Sequence, residues 1–382
     1  RDFAKDALYL SGGYVSAGGS SRNPGGRIFV PKNIAVGLNP ALSACNADSG
    51  GNVSLNLKQG NGQDGTDYRC YSGARDSFNY QPFNLVLTPQ ERTNIFALGK
   101  YRLTDSVEAY LNVYHSKTTS NFQIAPLPFD ARGDGVKISK DSYYNPFGVD
   151  VTRAQFRGTQ PLRNFGQDAD TFYFSGGLEG AFDVADRNFS WDASYIYTDS
   201  ERRNTTTGLF NLNSLAVGLG PSFLDANGVP TCGTPDAPIA GCVPINIFGG
   251  PDGFTAAMAD SVSFTAQDTL YKKLYDYTAN ITGDLFDLPA GPLGFAAGYE
   301  YRREFGSDQP DALISSGASS GNIRQPTAGS FSLDELYAEF NIPILKDLAF
   351  AEVFEVSIAA RYSDYSNFGE TTNPKFGFRW KP

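Results

Sequence analysis

The stretch YKKLYDYTANITGDLFDLPAGPLGFAAGYEYRREF, residues 271–305, decides the fold. Taking every second residue puts Tyr275, Tyr277, Ala279, Ile281, Gly283 and Leu285 on one face and Asp276, Thr278, Asn280, Thr282 and Asp284 on the other. A period of two with one apolar and one polar face predicts a β-strand that meets different surroundings on its two sides. Past the turn residues Pro289, Ala290, Gly291 and Pro292 the alternation resumes. Leu293, Phe295, Ala297, Tyr299 and Tyr301 share one side, and Gly298, Glu300, Arg302 and Glu304 the other. The two halves predict a hairpin with a short turn. In water its apolar stripe would need a second sheet; in a bilayer it would meet lipid, with tyrosines at the headgroup level.

Hairpins of the same kind recur on both sides. Upstream, Ile95, Ala97, Tyr101 and Leu103 alternate with Asn94, Lys100 and Arg102, and the return strand sets Val107, Ala109, Leu111 and Val113 against Glu108, Tyr110, Asn112 and Tyr114. A second hairpin carries Phe172, Phe174, Leu178, Phe182 and Val184, turns at Ala185, Asp186 and Arg187, and returns with Phe189, Trp191, Ala193, Tyr195 and Tyr197. Downstream, Leu336, Ala338, Phe340 and Ile342 oppose Glu335, Tyr337, Glu339 and Asn341, with a turn around residues 343–350. The return strand sets Phe354, Val356, Ile358, Ala360 and Tyr362 away from Glu355, Ser357 and Arg361, and a last strand carries Phe376, Phe378 and Trp380. Residues 7–15 and 27–30 predict two further strands and residues 52–59 a short hairpin, for about ten or eleven long strands in all.

The connections alternate between short and long, the long ones covering about residues 17–82, 117–170, 200–267 and 306–329. Connections beyond about 15 residues are uncommon in compact soluble domains. A transmembrane antiparallel up-and-down β-barrel predicts this asymmetry, with short periplasmic turns at one end and long extracellular loops at the other. The expected fold class is therefore all-β, a barrel of that type. Only residues 253–259 hint at a helical period.

Composition agrees. Of 382 residues, 41% are hydrophobic, 14% aromatic and only 19% charged, with a net charge of −10. That balance leaves no dominant basic patch, so no nucleic-acid partner is expected. No run of 18 apolar residues exists, which excludes a spanning helix and leaves spanning strands open. The opening residues RDFAKDALYL lack the apolar core of a signal peptide, so the chain is expected to be either cytoplasmic or a mature or partial one. Cysteine usage favours the second. Cys45 and Cys70, and Cys232 and Cys242, lie in Gly-, Pro-, Asn- and Asp-rich stretches and read as two disulfides closing loops in an oxidising compartment.

Catalytic sets are missing. Gly60, Gly62 and Gly65 match GxGxxG, but no hydrophobic strand precedes them and no helix follows, so they read as loop glycines. The single histidine, His115, has no partner motif and reads as an interface histidine beside Tyr114. DARGDG at residues 130–135, with Asp141 and Asp150, carries carboxylates that calcium could use, yet the same composition makes turns; no metal and no cofactor is assigned. The inward face holds the more interesting chemistry. Asp276, Glu300, Arg302, Glu304, Glu335, Arg361 and Tyr114 are the candidates for touching a solute in the lumen, while Phe174, Leu178, Trp191, Ile281, Phe295, Phe340 and Ile358 are expected to face lipid.

Seven phrases carry a family resemblance: QPFNLVLTPQERTNIFALGKY (81–101), QIAPLPF (123–129), YYNPFG (143–148), GCVPINIFGG (241–250), TGDLFDLPAGPLGFAAGYEYRRE (282–304), LYAEFNIPIL (336–345) and ARYSDYSNFGETTNPKFGFRWKP (360–382). In this order they resemble the barrel of TonB-dependent outer-membrane receptors of Gram-negative bacteria, over about 300 residues from Gln81 to the end. The resemblance implies an active transporter: a barrel of about 22 strands occluded by an N-terminal plug. It also implies outer-membrane lipid as surroundings, a TonB energy-coupling complex engaged through the N-terminal region, and a small solute such as a siderophore, oligosaccharide or peptide. Neither plug nor TonB box is seen, and the chain stops at RWKP where the family continues, so about half of the barrel is expected here, as an internal fragment. Two rival readings stand beside it: a passive outer-membrane porin or channel, and a secreted β-rich binding or adhesion module. No enzyme activity is expected.

Overall fold

The computed structural model describes residues 3–11 and 14–382. Short strands come first: β1 (Leu8–Ser11), β2 (Tyr14–Ala17), β3 (Arg27–Pro31), β4 (Asn52–Leu57) and β5 (Tyr68–Cys70). Long strands β6 (Gln90–Arg102) and β7 (Val107–Ile124) follow, then a connection with β8 (Phe129–Asp130) and β9 (Ala154–Phe156). Long β10 (Arg163–Val184) and β11 (Arg187–Phe210) come next, then a connection with β12 (Ser222–Leu224), β13 (Pro230–Thr234) and β14 (Ala237–Pro238). The chain ends in β15 (Ser263–Leu288), β16 (Gly291–Gln309), β17 (Thr327–Leu348), β18 (Ala351–Tyr365) and β19 (Gly369–Lys381). Among the described residues five short α-helices sit in the connections: α1 (Lys32–Leu38), α2 (Gly73–Asp76), α3 (Leu212–Gly218), α4 (Ala256–Val262) and α5 (Ala312–Ser316). Among the described residues no helix is long and apolar enough to cross a membrane.

The nine long strands form one antiparallel sheet in the order β19-β18-β17-β16-β15-β11-β10-β7-β6, so each long strand pairs with the one before it in the chain. The protein is all-β. The sheet is open: β6 and β19 are its edges, and nine strands stand where ten or eleven are expected. The difference lies at the N-terminal end. Residues 7–15 are not one strand, because Leu8–Ser11 pairs back on Tyr14–Ala17, the tip at residues 12–13 lying outside the described residues. The 52–59 stretch is a single strand, not a hairpin, since β4 pairs with both β3 and β5.

Short connections close one end of the sheet. Ala185 and Asp186 both have positive φ, 47° and 62°, as a two-residue hairpin turn that follows the sheet twist requires. The turn expected around residues 343–350 is tighter, because β17 runs on to Leu348 with a register shift between Pro343 and Leu345. Pro343 has no N–H to give the ladder, so the strand bulges there rather than ends. At the other end the loops are shorter than expected, for β7 reaches Ile124, β11 reaches Phe210 and β16 reaches Gln309. Polar residues continue the ladder there because backbone pairing, not the apolar face, holds a strand beyond its buried part. β15 has 26 residues, more than twice the roughly 9–11 that a bilayer requires.

Beyond that end lies the buried core. Ile28, Val30, Val53, Leu55, Phe129, Phe147, Phe156, Phe210, Leu219, Ile245 and Phe248 pack together, drawn from the N-terminal segment and two of the connections. The five-stranded sheet β5-β4-β3-β9-β8 runs through this body, here termed the cap. Backbone bonds stitch its parts: Ser139 N–H to Leu219 C=O at 2.9 Å, Ser222 N–H to Asp141 C=O at 3.0 Å, and Leu212 N–H to Ala318 C=O at 2.8 Å. The expected long loops are thus a packed body.

Candidate functional site on the polar face of the sheet

Residues paired across a sheet share a face, so register turns the sheet into rows. One polar row, Arg102, Glu108, Glu179, Asp192, Asn280, Gly298, Tyr337, Arg361 and Asn373, crosses all nine strands. The neighbouring row sets Thr278 opposite Glu300, Glu300 opposite Glu335 and Glu335 opposite Ser363, and the next sets Asp276 opposite Arg302. Six of the seven lumen candidates therefore meet on one face over β15 to β18. Tyr114 does not join them: it shares a row with Glu304 but stands four strands away on β7, where its hydroxyl donates to Asn94 Oδ1 at 3.1 Å.

Side chains link these rows. Asn280 Nδ2 donates to Asp192 Oδ2 at 2.8 Å, and the Tyr337 hydroxyl donates to Asn280 Oδ1 at 2.9 Å. The Arg361 guanidinium stands 5.3 Å from the Tyr337 ring centroid and donates to Glu335 Oε2 at 3.0 Å. Ser363 donates to the other oxygen of Glu335, whose residue is only 6% exposed. The result is a continuous polar chain from β11 to β18. Gly298 makes it possible: a Cβ there would lie 2.3 Å from Asn280 Oδ1 and 2.4 Å from Tyr337 Cε1, so only glycine lets the tyrosine lie across the strand. Asn280 and Tyr337 were legible as polar-face residues, but their joint role appears only once register places Gly298 between them.

The remaining candidates are less fully paired. Arg302 Nε is 3.4 Å from Glu304 Oε1 and 3.9 Å from Glu300 Oε1. Asp276 Oδ1 and Arg302 Nε are buried without a hydrogen-bond partner. Four carboxylates and two guanidiniums, partly unsatisfied, form a wall able to hydrogen-bond a polar solute or a protein surface. Toward the short turns, the Lys100 amine bridges Glu108 at 2.9 Å and Glu179 at 2.8 Å.

The opposite face is apolar. Phe182, Phe189, Gly283, Phe295, Phe340, Ile358 and Phe376 form one row near the short turns. A second row, Tyr195, Tyr277 and Tyr301, with Tyr197 and Tyr275 beyond it, lies toward the cap. Ring centroids are 4.7 Å apart for Tyr195 and Tyr277 and 5.7 Å for Phe295 and Phe340. Between the rows run Leu178, Ala193, Ala279, Trp191, Ile281, Ala297 and Ala338. Phe174, Leu178, Trp191, Ile281, Phe295, Phe340 and Ile358 all belong to this face. His115 does too, its Nε2 lying 3.1 Å from Asp170 Oδ1.

In the cap, Cys45 is bonded to Cys70 and Cys232 to Cys242. Gly62 of the GxGxxG match has φ +75°, and a Cβ there would lie 2.1 Å from the Phe248 carbonyl oxygen, so its glycine serves close packing. Asp130 of the DARGDG turn accepts from Arg22 at 2.6 Å and Gln155 at 3.0 Å. Burial pushes the Asp76 carboxyl up, but hydrogen bonds from Arg69, the Ser72 N–H and Arg75 outweigh it and hold the group below the usual carboxylate range. Among the described residues no grouping of His, Cys, Asp and Glu is arranged to hold a metal ion.

No protein-family model and no curated protein matches the chain. Among solved structures it is similar to BauA, the ferric preacinetobactin receptor from Acinetobacter baumannii, with a TM-score of 0.29 and 12% identity, over 77% of this chain and 43% of that one. The chain thus spans less than half the length of that receptor, and nothing about its ligand follows from the likeness.

Proposed function

We propose that the chain is part of an outer-membrane active transport receptor, a TonB-coupled β-barrel whose cap faces the outside and whose polar face lines the passage of a scarce solute such as a siderophore, oligosaccharide or peptide. The observation that carries this reading is the pair of aromatic rows on the apolar face. Along β15 they stand six to eight residues apart, from Gly283 to Tyr277 or Tyr275, about 20–26 Å of strand before tilt. A lipid-facing band between two aromatic girdles is about 25 Å tall. The open edges at β6 and β19 support the same reading, because unpaired backbone in hydrocarbon is costly and further strands would satisfy it. Energy coupling and solute identity are proposed on the resemblance of the barrel phrases. Fractionation and transport test it. The protein should partition with outer membranes and need detergent for extraction, and solute uptake should stop when the energy-coupling complex is deleted. Extraction in plain buffer would favour a secreted binding module, and uptake persisting without coupling would favour a passive channel.

A further inference from the structure

We infer that the cap carries a binding site for a carboxylated sugar, in the cleft of about 470 Å³ between residues 23–25, the end of β4, the α2 segment and the turn at residues 249–252. Its size falls in the range of small-molecule sites, roughly 300–1,000 Å³. Three polar residues lining it are more than nine-tenths buried: Asn23, Asn56 and Asp76. Asn56 Nδ2 donates to the Gly26 carbonyl and, at 2.9 Å, to Asn23 Oδ1, which fixes the Asn23 amide. Asn23 Nδ2 is then left buried with no acceptor. A held, desolvated donor without a partner is costly to the protein alone and is satisfied by an oxygen brought in from the cleft.

Charge narrows the class. Asp76 accepts from Arg69 at 2.8 Å and from Arg75 Nε at 3.2 Å, so one carboxylate orients two guanidiniums. With exposed Lys58 and Asp252 also on the wall, cations exceed anions by one, inside a chain of net charge −10. Arg75 Nη2 also donates to the Cys70 carbonyl at 3.0 Å, and a guanidinium so held gives a carboxylate a charge-assisted hydrogen bond at little further ordering cost. The half-buried Phe78 ring adds an apolar surface of the kind that sugar C–H groups cover. An oxygen-rich ring bearing one carboxylate uses all three features: hydroxyls for Asn23 and Asn56, the carboxylate for Arg75, and the ring face for Phe78. The site rests on the geometry of the cap; under the transport reading it is where the solute is first held.

The test is equilibrium binding by the whole chain in detergent micelles, by calorimetry, with glucuronate, glucose and inorganic phosphate as probes. Glucuronate should bind at least ten-fold more tightly than glucose or phosphate. The N23A and R75Q variants should each weaken it at least ten-fold while retaining the Cys45–Cys70 bond; Arg75 is exposed, so R75Q is the variant least exposed to a folding defect. Equal affinity for phosphate, or glucuronate affinity unchanged in R75Q, would overturn the proposal. Tight glucuronate binding by a protein that is extracted in plain buffer, outside the membrane fraction, would leave this site standing and remove the transport reading.

Discussion

Replacing Gly298 by alanine tests whether the polar chain on the sheet is a fitted assembly. The new Cβ would fall 2.3 Å from Asn280 Oδ1 and 2.4 and 2.8 Å from Tyr337 Cε1 and Cζ, each below any normal contact. Tyr337 is flanked by Arg361 and bonded to Asn280, so it cannot swing aside without breaking both contacts. Losing the tyrosine hydrogen bond costs about 1 kcal/mol, and losing the cation–π contact about 0.5–1 kcal/mol. Residual overpacking adds roughly 1–3 kcal/mol. Alanine gains about 0.5–1 kcal/mol over glycine in a strand, which offsets part of this. The expected net destabilisation is about 1.5–4.5 kcal/mol, read from urea unfolding in detergent micelles. Gly329→Ala is the control, since no atom lies within 4 Å of a Cβ there, and it should be neutral or slightly stabilising. If both variants unfold within about 0.5 kcal/mol of the parent, the Tyr337–Asn280 assembly contributes nothing, and the reasoning from fit is wrong.

Ile281→Arg on the apolar face, paired with Trp191 and Ala297, should cost about 2–4 kcal/mol and impair assembly in membranes; normal assembly would mean that the two faces are assigned the wrong way round. Cys232 and Cys242 should resist alkylation until reductant is added and then shift together in a peptide map; finding both reactive beforehand would refute the pairing. Asp76→Asn should lower the melting temperature at pH 7, because a carboxyl whose folded pKa is depressed contributes stability that is full above its unfolded value of about 3.9. That contribution is lost as pH falls through the folded value, so the gap between variant and parent should narrow below about pH 4, and a gap constant from pH 7 to 3 would count against it.

The sheet was legible because period two leaves a mark on every strand. The hairpin at residues 271–305 keeps its faces in the structure, with Tyr277 opposite Tyr301 and Asp276 opposite Arg302. Strand ends were not legible. Beyond the apolar band, the polar residues of β7 and β11 still pair, and nothing in their composition separates a paired polar strand from a loop. The cap reads as loop in the sequence for a related reason. Its strands, such as β8 and β9, have two or three residues, too few to show a period, and its core is assembled from residues as distant as Ile28 and Phe248. Within the candidate site, charge and alternation pointed to Glu300, Arg302, Glu335 and Arg361. Asn280, Gly298 and Ser363 needed the register, because each matters only through what stands opposite it.

The way the cap is stitched bears on how the chain folds. Its contacts join residues far apart in sequence: Arg22 bonds Asp130 across 108 positions, and Phe210 N–H bonds the Ser320 hydroxyl across 110. In the long sheet every strand pairs with its neighbour in the chain, and the widest connection, from Phe210 to Ser263, is half as long as either of those separations. Loop closure taxes distant contacts most, so local pairing runs ahead of them. The distant contacts of the cap core are therefore expected to close after the strands have brought its pieces to the same end of the sheet. Burial of Phe248 or Ile28 reports that the whole order of strands is already in place, and a fluorescent probe at either position would time completion of the fold rather than its beginning.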